Sequence, residues 1–501
     1  MAPKRILSKI LDEADDRKPV DTRPDGRMHR YWSRKRRAEG LSAIPQPAGR
    51  AVFNSGSLRG RTCAGIGVLL LALLIASGRM PLVMAAGLSV GLLGLVVLFT
   101  MNSQARFLLL FFVNACLLVV KPRFFGEIDL AVVGSLVAVL AAALAVKFNG
   151  SSQVQTTDYF RTRAKLSTSQ FALIGFAGLA FISTLANAQP LMVLLPWLNG
   201  AILTLFVSRT APSGLPSFTL VRRTVLVAGL VTVAYDLLLL GSGKAMNVGP
   251  FNAGRFLGSV GDYELLAEYY GALILIAITA AFFDPSRRWQ MLAGILLVPS
   301  SLVLIATESR GPIVILCVIT PLLVGMSALL FRESAGRIFR ISVAAAVAIA
   351  ASIGALAATP LFERLMSTQL GGSVDSTLNR AGVWDYFTQL PEFVRLGPAG
   401  NGFEYPYESI GTYPHSLYLW LLWSGGWVGL AFFVVFVCLE LGKLTRGVVT
   451  RSSASLSAAA VLAFVLTDEI KIEAARNSAT VSFLWFVIAM AVLARREQRE
   501  S

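Results

Sequence analysis

The sequence predicts an all-α polytopic membrane protein of about 14 transmembrane helices, with one long external loop between spans 11 and 12. Three observations carry this. Hydrophobic side chains make up 55% of the 501 residues and charged ones only 15%, where a soluble domain carries about a quarter. Mean hydropathy is +0.65. Apolar runs of about 20 residues recur along the chain, each long enough to cross about 30 Å of hydrocarbon at 1.5 Å per residue. A soluble enzyme with one anchor is thereby excluded. A β-barrel is excluded too, because its strands alternate apolar and polar residues.

Residues 1–61 precede the first apolar run and hold fifteen Lys or Arg against seven Asp or Glu, half of the net charge of +16. The densest cluster is Arg30-Tyr31-Trp32-Ser33-Arg34-Lys35-Arg36-Arg37. This stretch is too long for the n-region of a signal peptide and reads as a largely disordered cytoplasmic tail. Its expected partner is anionic lipid of the adjacent leaflet, not nucleic acid.

The transmembrane domain runs over 62–493. Its spans are expected at 62–77, 80–100, 107–120, 128–146, 170–186, 190–208, 220–241, 264–283, 289–307, 312–331, 338–357, 414–439, 454–468 and 478–493. With the tail in the cytoplasm, the linkers on its side carry nineteen basic and six acidic residues, from Arg106 to Arg499. The positive-inside bias then puts both termini, including 494–501, on the cytoplasmic side of the membrane. Cys63, Cys116, Cys317 and Cys438 lie in or at the ends of apolar runs with no metal-ligand spacing, and read as small buried hydrophobes.

The external loop, 358–413, is punctuated by Pro360, Gly371-Gly372, Pro391, Gly397-Pro398 and Gly400. Loops this long inside a compact body are usually functional. Within it Leu378, Val383, Trp384, Phe387 and Leu390 fall at helical spacing, with Asp375 or Ser376 as N-cap and Pro391 closing the helix.

An ionisable group near membrane depth is costly unless it faces a cavity or a partner, so each one is a site candidate. Arg255 stands just before span 8, in which Glu264 and Glu268 share one helix face. Arg310 lies in Thr307-Glu308-Ser309-Arg310-Gly311-Pro312, between two spans joined by almost no loop. His415 opens span 12 and is the one histidine outside the tail. Lys121 and Arg123 remain on the outer side after span 3, as further anion contacts or as interfacial anchors. Plainer readings exist for the others: Arg255 pairing with Asp262 or Glu264, Arg310 snorkelling beside Glu308, His415 capping a helix. Together, two arginines and a histidine at the external ends of three spans describe a pocket for an anionic substrate. Guanidinium forks bind phosphate bidentately, and imidazole accepts a proton near neutral pH. No Walker A, dinucleotide or zinc spacing is present, so neither a nucleotide nor a metal cofactor is expected.

At these residues the chain resembles the bacterial O-antigen ligase and O-antigen polymerase superfamily, over roughly 250–435. Three motifs carry the likeness: Arg255-Phe-Leu-Gly-Ser-Val-Gly-Asp-Tyr-Glu-Leu-Leu-Ala; Thr307-Glu-Ser-Arg310-Gly-Pro; and Pro398-Ala-Gly-Asn-Gly402-Phe followed by Pro414-His415-Ser-Leu-Tyr-Leu-Trp-Leu-Leu-Trp-Ser-Gly425-Gly-Trp-Val-Gly429. The resemblance implies a metal-independent, inverting glycosyltransferase of the C-type membrane fold, in the plasma membrane of a bacterial cell. It would move glycan from an undecaprenyl-diphosphate-linked donor to a glycan or lipid acceptor, with a chain-length regulator as a candidate partner; the long external loop favours a polymerase over the alternatives, an O-antigen ligase or a protein O-oligosaccharyl ligase. It implies His415 as general base and Arg255 and Arg310 as stabilisers of the departing diphosphate. Arg380 and Glu268 would contact substrate. The rival from another class is a transporter or lipid-linked glycan flippase, which predicts charges near mid-membrane and an internal repeat.

Overall fold

The computed structural model describes residues 103–116, 123–124, 128–129, 166–210, 215–246, 254–343, 346–347, 382–394, 397–404, 413–472, 475 and 477–498. It is nearly all helical. Helix α1 spans Ser103–Cys116 and is followed by a two-residue antiparallel pair, β1 Arg123–Phe124 with β2 Ile128–Asp129. The main bundle comprises α2 Thr168–Ala186, α3 Leu191–Arg209, α4 Phe218–Gly241, α5 Tyr263–Phe283, α6 Arg287–Ala306, α7 Arg310–Leu330, α8 Leu417–Val449, α9 Ser453–Asp468 and α10 Ser478–Gln498. Among the described residues eight of these helices are long and apolar enough to cross a membrane, so the chain is a multi-pass membrane protein.

The expected spans from 170 to 331 coincide with α2 to α7 to within a few residues. Those at 62–77, 80–100 and 128–146 lie wholly or almost wholly outside the described residues, as does the basic tail, while 107–120 and 338–357 do so in part. Two spans differ. Helix α8 extends to Val449, beyond the expected 439, and is broken at Gly426. Helix α9 has 16 residues, about 24 Å, less than the hydrocarbon thickness.

Local chemistry sets several helix starts. Ser167 and Gln170 form a capping box on α2, Ser217 accepts from Leu220 N on α4, and Asp262 accepts from Glu264 N and Leu265 N on α5. Helix α5 lies at the centre, buried from Glu264 to Phe282, with α10 buried almost as completely. Close approach is won with small residues: Gly200 of α3 receives the Trp485 ring of α10, and Gly271 of α5 receives Phe464 of α9. Cys317 and Cys438 are exposed, not buried, because α7 and α8 turn them to the outside of the bundle. In a bilayer that surface faces lipid, which is as apolar as a core.

The two ends of the bundle differ in charge. At one end Arg223 forks onto Asp284 through Nε at 3.0 Å and Nη2 at 2.8 Å, while Arg222 lies 3.6 Å from the same carboxylate and donates to Thr279 O. Arg495 reaches both oxygens of Glu440, and Lys443 joins it at 2.7 Å. Arg337 donates to Phe282 O at 2.7 Å, bringing the segment after α7 against the α5–α6 turn. The other end is rich in carboxylates and is described below.

Asp284 sits in the turn after α5. Burial opposes its charge, but hydrogen bonds from Arg223 and Ser286 N and the two nearby guanidinium charges outweigh that and hold its carboxyl below the usual carboxylate range. Unfolded, the group titrates at about 3.9. The pair therefore contributes stability that is fully present above that value and is lost as pH falls through the lower folded one. Asp284→Asn leaves Arg222 buried without its carboxylate, and about 3–5 kcal/mol of stability should be lost at neutral pH. Thermal unfolding in detergent from pH 7 into acid checks this: the variant should melt lower at pH 7 and lack the step that the wild type shows below about pH 4.

Candidate functional site

Sequence dictates the corner that carries Arg310. Helix α6 ends at Ala306 and α7 starts at Arg310, so Thr307, Glu308 and Ser309 make the whole turn. Glu308 occupies the left-handed region at φ 53°, the conformation that ends many helices and that glycine adopts more cheaply. Its carboxylate, 6% exposed, lies 3.7 Å from Arg255 Nε. The ion pair that forms is Arg255 with Glu308, where the plainer readings set Arg255 beside Asp262 or Glu264 and Arg310 beside Glu308. The cause is the left-handed turn and the bond from Phe256 N to Ala306 O at 3.1 Å, which lays the 254–262 segment on the corner. The Arg255 guanidinium also lies 4.6 Å from the Tyr263 ring centroid, a cation–π contact.

Beneath that segment is a residue not anticipated from the sequence. Asp236, near the end of α4 and 1% exposed, accepts from Ser259 N at 2.8 Å, from Ser259 Oγ at 3.3 Å and from Tyr270 OH at 2.7 Å. It ties the Arg255 segment to α4 and α5 together. A lone Asp sixteen residues into an apolar run was the available signal.

His415 also lies in the left-handed region, at φ 49°, half-buried and directly before the N-cap Ser416 of α8. Leu417 N, two residues on, donates to Glu469 O at 2.9 Å and Ile472 O at 3.0 Å, so the start of α8 is clamped to the turn that ends α9. Tyr418 OH donates to Leu466 O. Asp468 and Glu469 are fully buried, and Lys471 Nζ lies 2.7 Å from Asp468 Oδ1. Glu268, 3% exposed and one turn inside α5, is within electrostatic reach of Asp468, Glu469 and Lys471. The Lys471 ammonium in turn rests on Gly311, the residue after Arg310.

One end of the bundle therefore gathers Arg255, Glu268, Arg310 and the approach to His415, linked by Glu308 and the 468–472 turn. Asp468, Glu469 and Lys471 were not singled out, lying at and just past the end of the expected span 454–468; the signal was a cluster of charges closing an apolar run. Lys121 and Arg380 lie outside the described residues, and of Arg123 only the backbone, paired with Asp129, is described. Among the described residues no group of three or more His, Cys, Asp or Glu is arranged to hold a metal ion.

The loop end and the glycine-rich start of α8 meet as one unit. Helix α8 breaks at Gly426 (φ 64°, ψ −176°), which frees carbonyls of the preceding turn. Trp423 O accepts from Asn401 N, and Ser424 O accepts from Gly402 N and from Ser183 Oγ of α2. Phe403 is fully buried between Trp197 and Trp420, and Glu404 accepts from the indole N–H of Trp420 and of Trp423. Upstream, residues 382–389 are helical, and Phe387 packs 5.2 Å from Trp423. Pro391 does not simply close that helix: after a bend at Leu390 it starts a second short one, Pro391–Val394, at the first position where its missing N–H costs nothing.

Compared with known proteins, the chain matches no family model and no curated sequence.

Proposed function

We propose that the chain is a metal-independent glycosyltransferase of the plasma membrane that takes glycan units from an undecaprenyl-diphosphate-linked donor and extends an acceptor sugar on the outer side, in the manner of an O-antigen polymerase. The observation that carries this reading is the convergence of Arg255 and Arg310 at one corner, joined through the 468–472 turn to the start of the His415 helix. The arginine-rich opposite end, holding Arg223, Arg337 and Arg495, agrees with a cytoplasmic face under the positive-inside bias.

In this reading the acceptor hydroxyl oxygen attacks the anomeric carbon of the donor as the bond from that carbon to the diphosphate oxygen breaks, with inversion. The hydroxyl proton passes to the His415 imidazole. Arg255 and Arg310 meet the negative charge that grows on the leaving undecaprenyl diphosphate, the kind of stabilisation that is largest in a dry, preorganised site. Glu308 holds Arg255 in register before substrate arrives.

A specific observation favours a second reading. Glu268 is buried inside α5 beside Asp468, Glu469 and Lys471, and buried carboxylates in a span also describe an ion-coupled transporter or flippase. Purified protein in detergent, where no gradient exists, separates the two. Given lipid-linked donor and acceptor without nucleotide sugar or divalent metal, it is expected to lengthen the acceptor. Absence of transfer by a preparation that moves the same lipid-linked glycan between vesicle leaflets would decide for the flippase.

A further inference from the structure

Lys471 has no role in the mechanism above, yet its seat is built. The ammonium is 2.7 Å from Asp468 Oδ1 and its side chain is 21% exposed. It also fills the space where a side chain at position 311 would stand: a Cβ on Gly311 would collide with Nζ and Cε and would come within 2.7 Å of Cδ. Glycine is a poor helix former, about 1 kcal/mol less favourable than alanine in a helix interior. Here the missing side chain admits a cation directly beside the residue that follows Arg310. The turn carrying Lys471 is pinned on its other side to the start of α8, through Glu469 O and Ile472 O on Leu417 N. Lys471 thus stands where the helix starts of Arg310 and of His415 are joined.

The pattern at this end repeats. Arg255 is held by Glu308, and Lys471 by Asp468, each cation having one carboxylate within 4 Å. A plain structural pair of residues three apart in one turn needs no glycine on a separate helix to receive it. We infer that Lys471 is a further cationic contact for the diphosphate of the lipid-linked donor, kept in place by Asp468 and by the space left at Gly311. This rests on the glycosyltransferase reading and adds a residue to its leaving-group site. As a compact, flexible point charge, an ammonium suits a phosphate oxygen whose position changes as the bond to the sugar breaks.

The test uses the full chain in nanodiscs, with undecaprenyl diphosphate as the binding probe and acceptor lengthening as the activity. Lys471→Gln is expected to weaken probe binding and to raise the KM for donor by about 10- to 100-fold, the span of a charge-assisted hydrogen bond. Lys471→Arg should recover most of it. Gly311→Ala removes no charge but evicts the ammonium, and should reproduce the Lys471→Gln defect in folded protein. A wild type that binds the probe and lengthens the acceptor, with Lys471→Gln and Gly311→Ala equal to it per folded molecule, overturns the inference and leaves the function standing. A wild type that neither binds nor transfers overturns both.

Discussion

Arg310→Ala is expected to abolish glycan transfer almost completely at unchanged membrane abundance. Arg310 opens α7 after a three-residue turn, so backbone geometry holds its position tightly, and the loss of one preorganised contact to developing negative charge typically costs on the order of 10²- to 10³-fold in rate. Arg310→Lys keeps the charge and discards the planar fork. If the guanidinium grips the diphosphate bidentately, lysine should recover little; if the interaction is only coulombic, it should recover much. Initial rates at saturating donor, normalised to folded protein from size-exclusion chromatography, make the comparison. Normal specific activity in Arg310→Ala would remove Arg310 from the site and detach the leaving-group mechanism from this corner of the bundle.

Gly426→Ala should cost about 3 kcal/mol or more of stability, from backbone strain and overpacking together. At φ 64° and ψ −176° the residue occupies a region essentially closed to side chains. An added Cβ would also meet Gly400 N and the Pro398 carbonyl carbon, each at 2.5 Å, and neither backbone group can give way without lifting the 397–404 loop. Gly425 next to it provides the control. There a Cβ would find only the Phe403 ring, at 3.7 Å, an ordinary contact. Gly425→Ala is therefore expected to melt within about 0.5 kcal/mol of the wild type, in line with a substitution away from any special feature. Limited proteolysis at 397–404 together with thermal unfolding reads both outcomes. Equal behaviour of the two variants would mean that the break in α8 is not what seats the loop.

Where the sequence was legible, the reason was length and polarity. Helices α2 to α7 follow apolar runs ended by Asn187, Arg209, Ser242, Asp284, Thr307 and Arg332, which either cap a helix or cannot enter hydrocarbon. The break at Gly426 was not legible, because Gly425-Gly-Trp-Val-Gly429 fits a close-packed helix equally well. Only the arrival of Pro398, Gly400 and Gly402 against it decides the matter. Arg255, Arg310 and His415 stood out as charges at the edges of spans. Their partners did not: Glu308 turns to Arg255 through a left-handed backbone that no local pattern announces, and Asp236 is reached by Ser259 and Tyr270 through tertiary packing alone. The 468–472 turn escaped for the same reason, since its importance lies in touching Leu417 and Gly311, one 52 residues and the other 160 residues earlier in the chain.

The bond from Ser183 to the freed Ser424 carbonyl joins positions 241 residues apart. At a synthesis rate of about 5–20 residues per second, that corresponds to roughly 12–48 s between emergence of the two partners. Through that interval α2 is already made while the acceptor and the kink that exposes it do not yet exist, and the 397–404 loop is made only near its end. The Ser183 hydroxyl then has its own helix carbonyls as the acceptors within reach. Completion of this end of the bundle follows the clock of the ribosome, and anything that stalls translation between residues 187 and 424 prolongs the time during which the Ser183 hydroxyl of α2 is without its partner on α8.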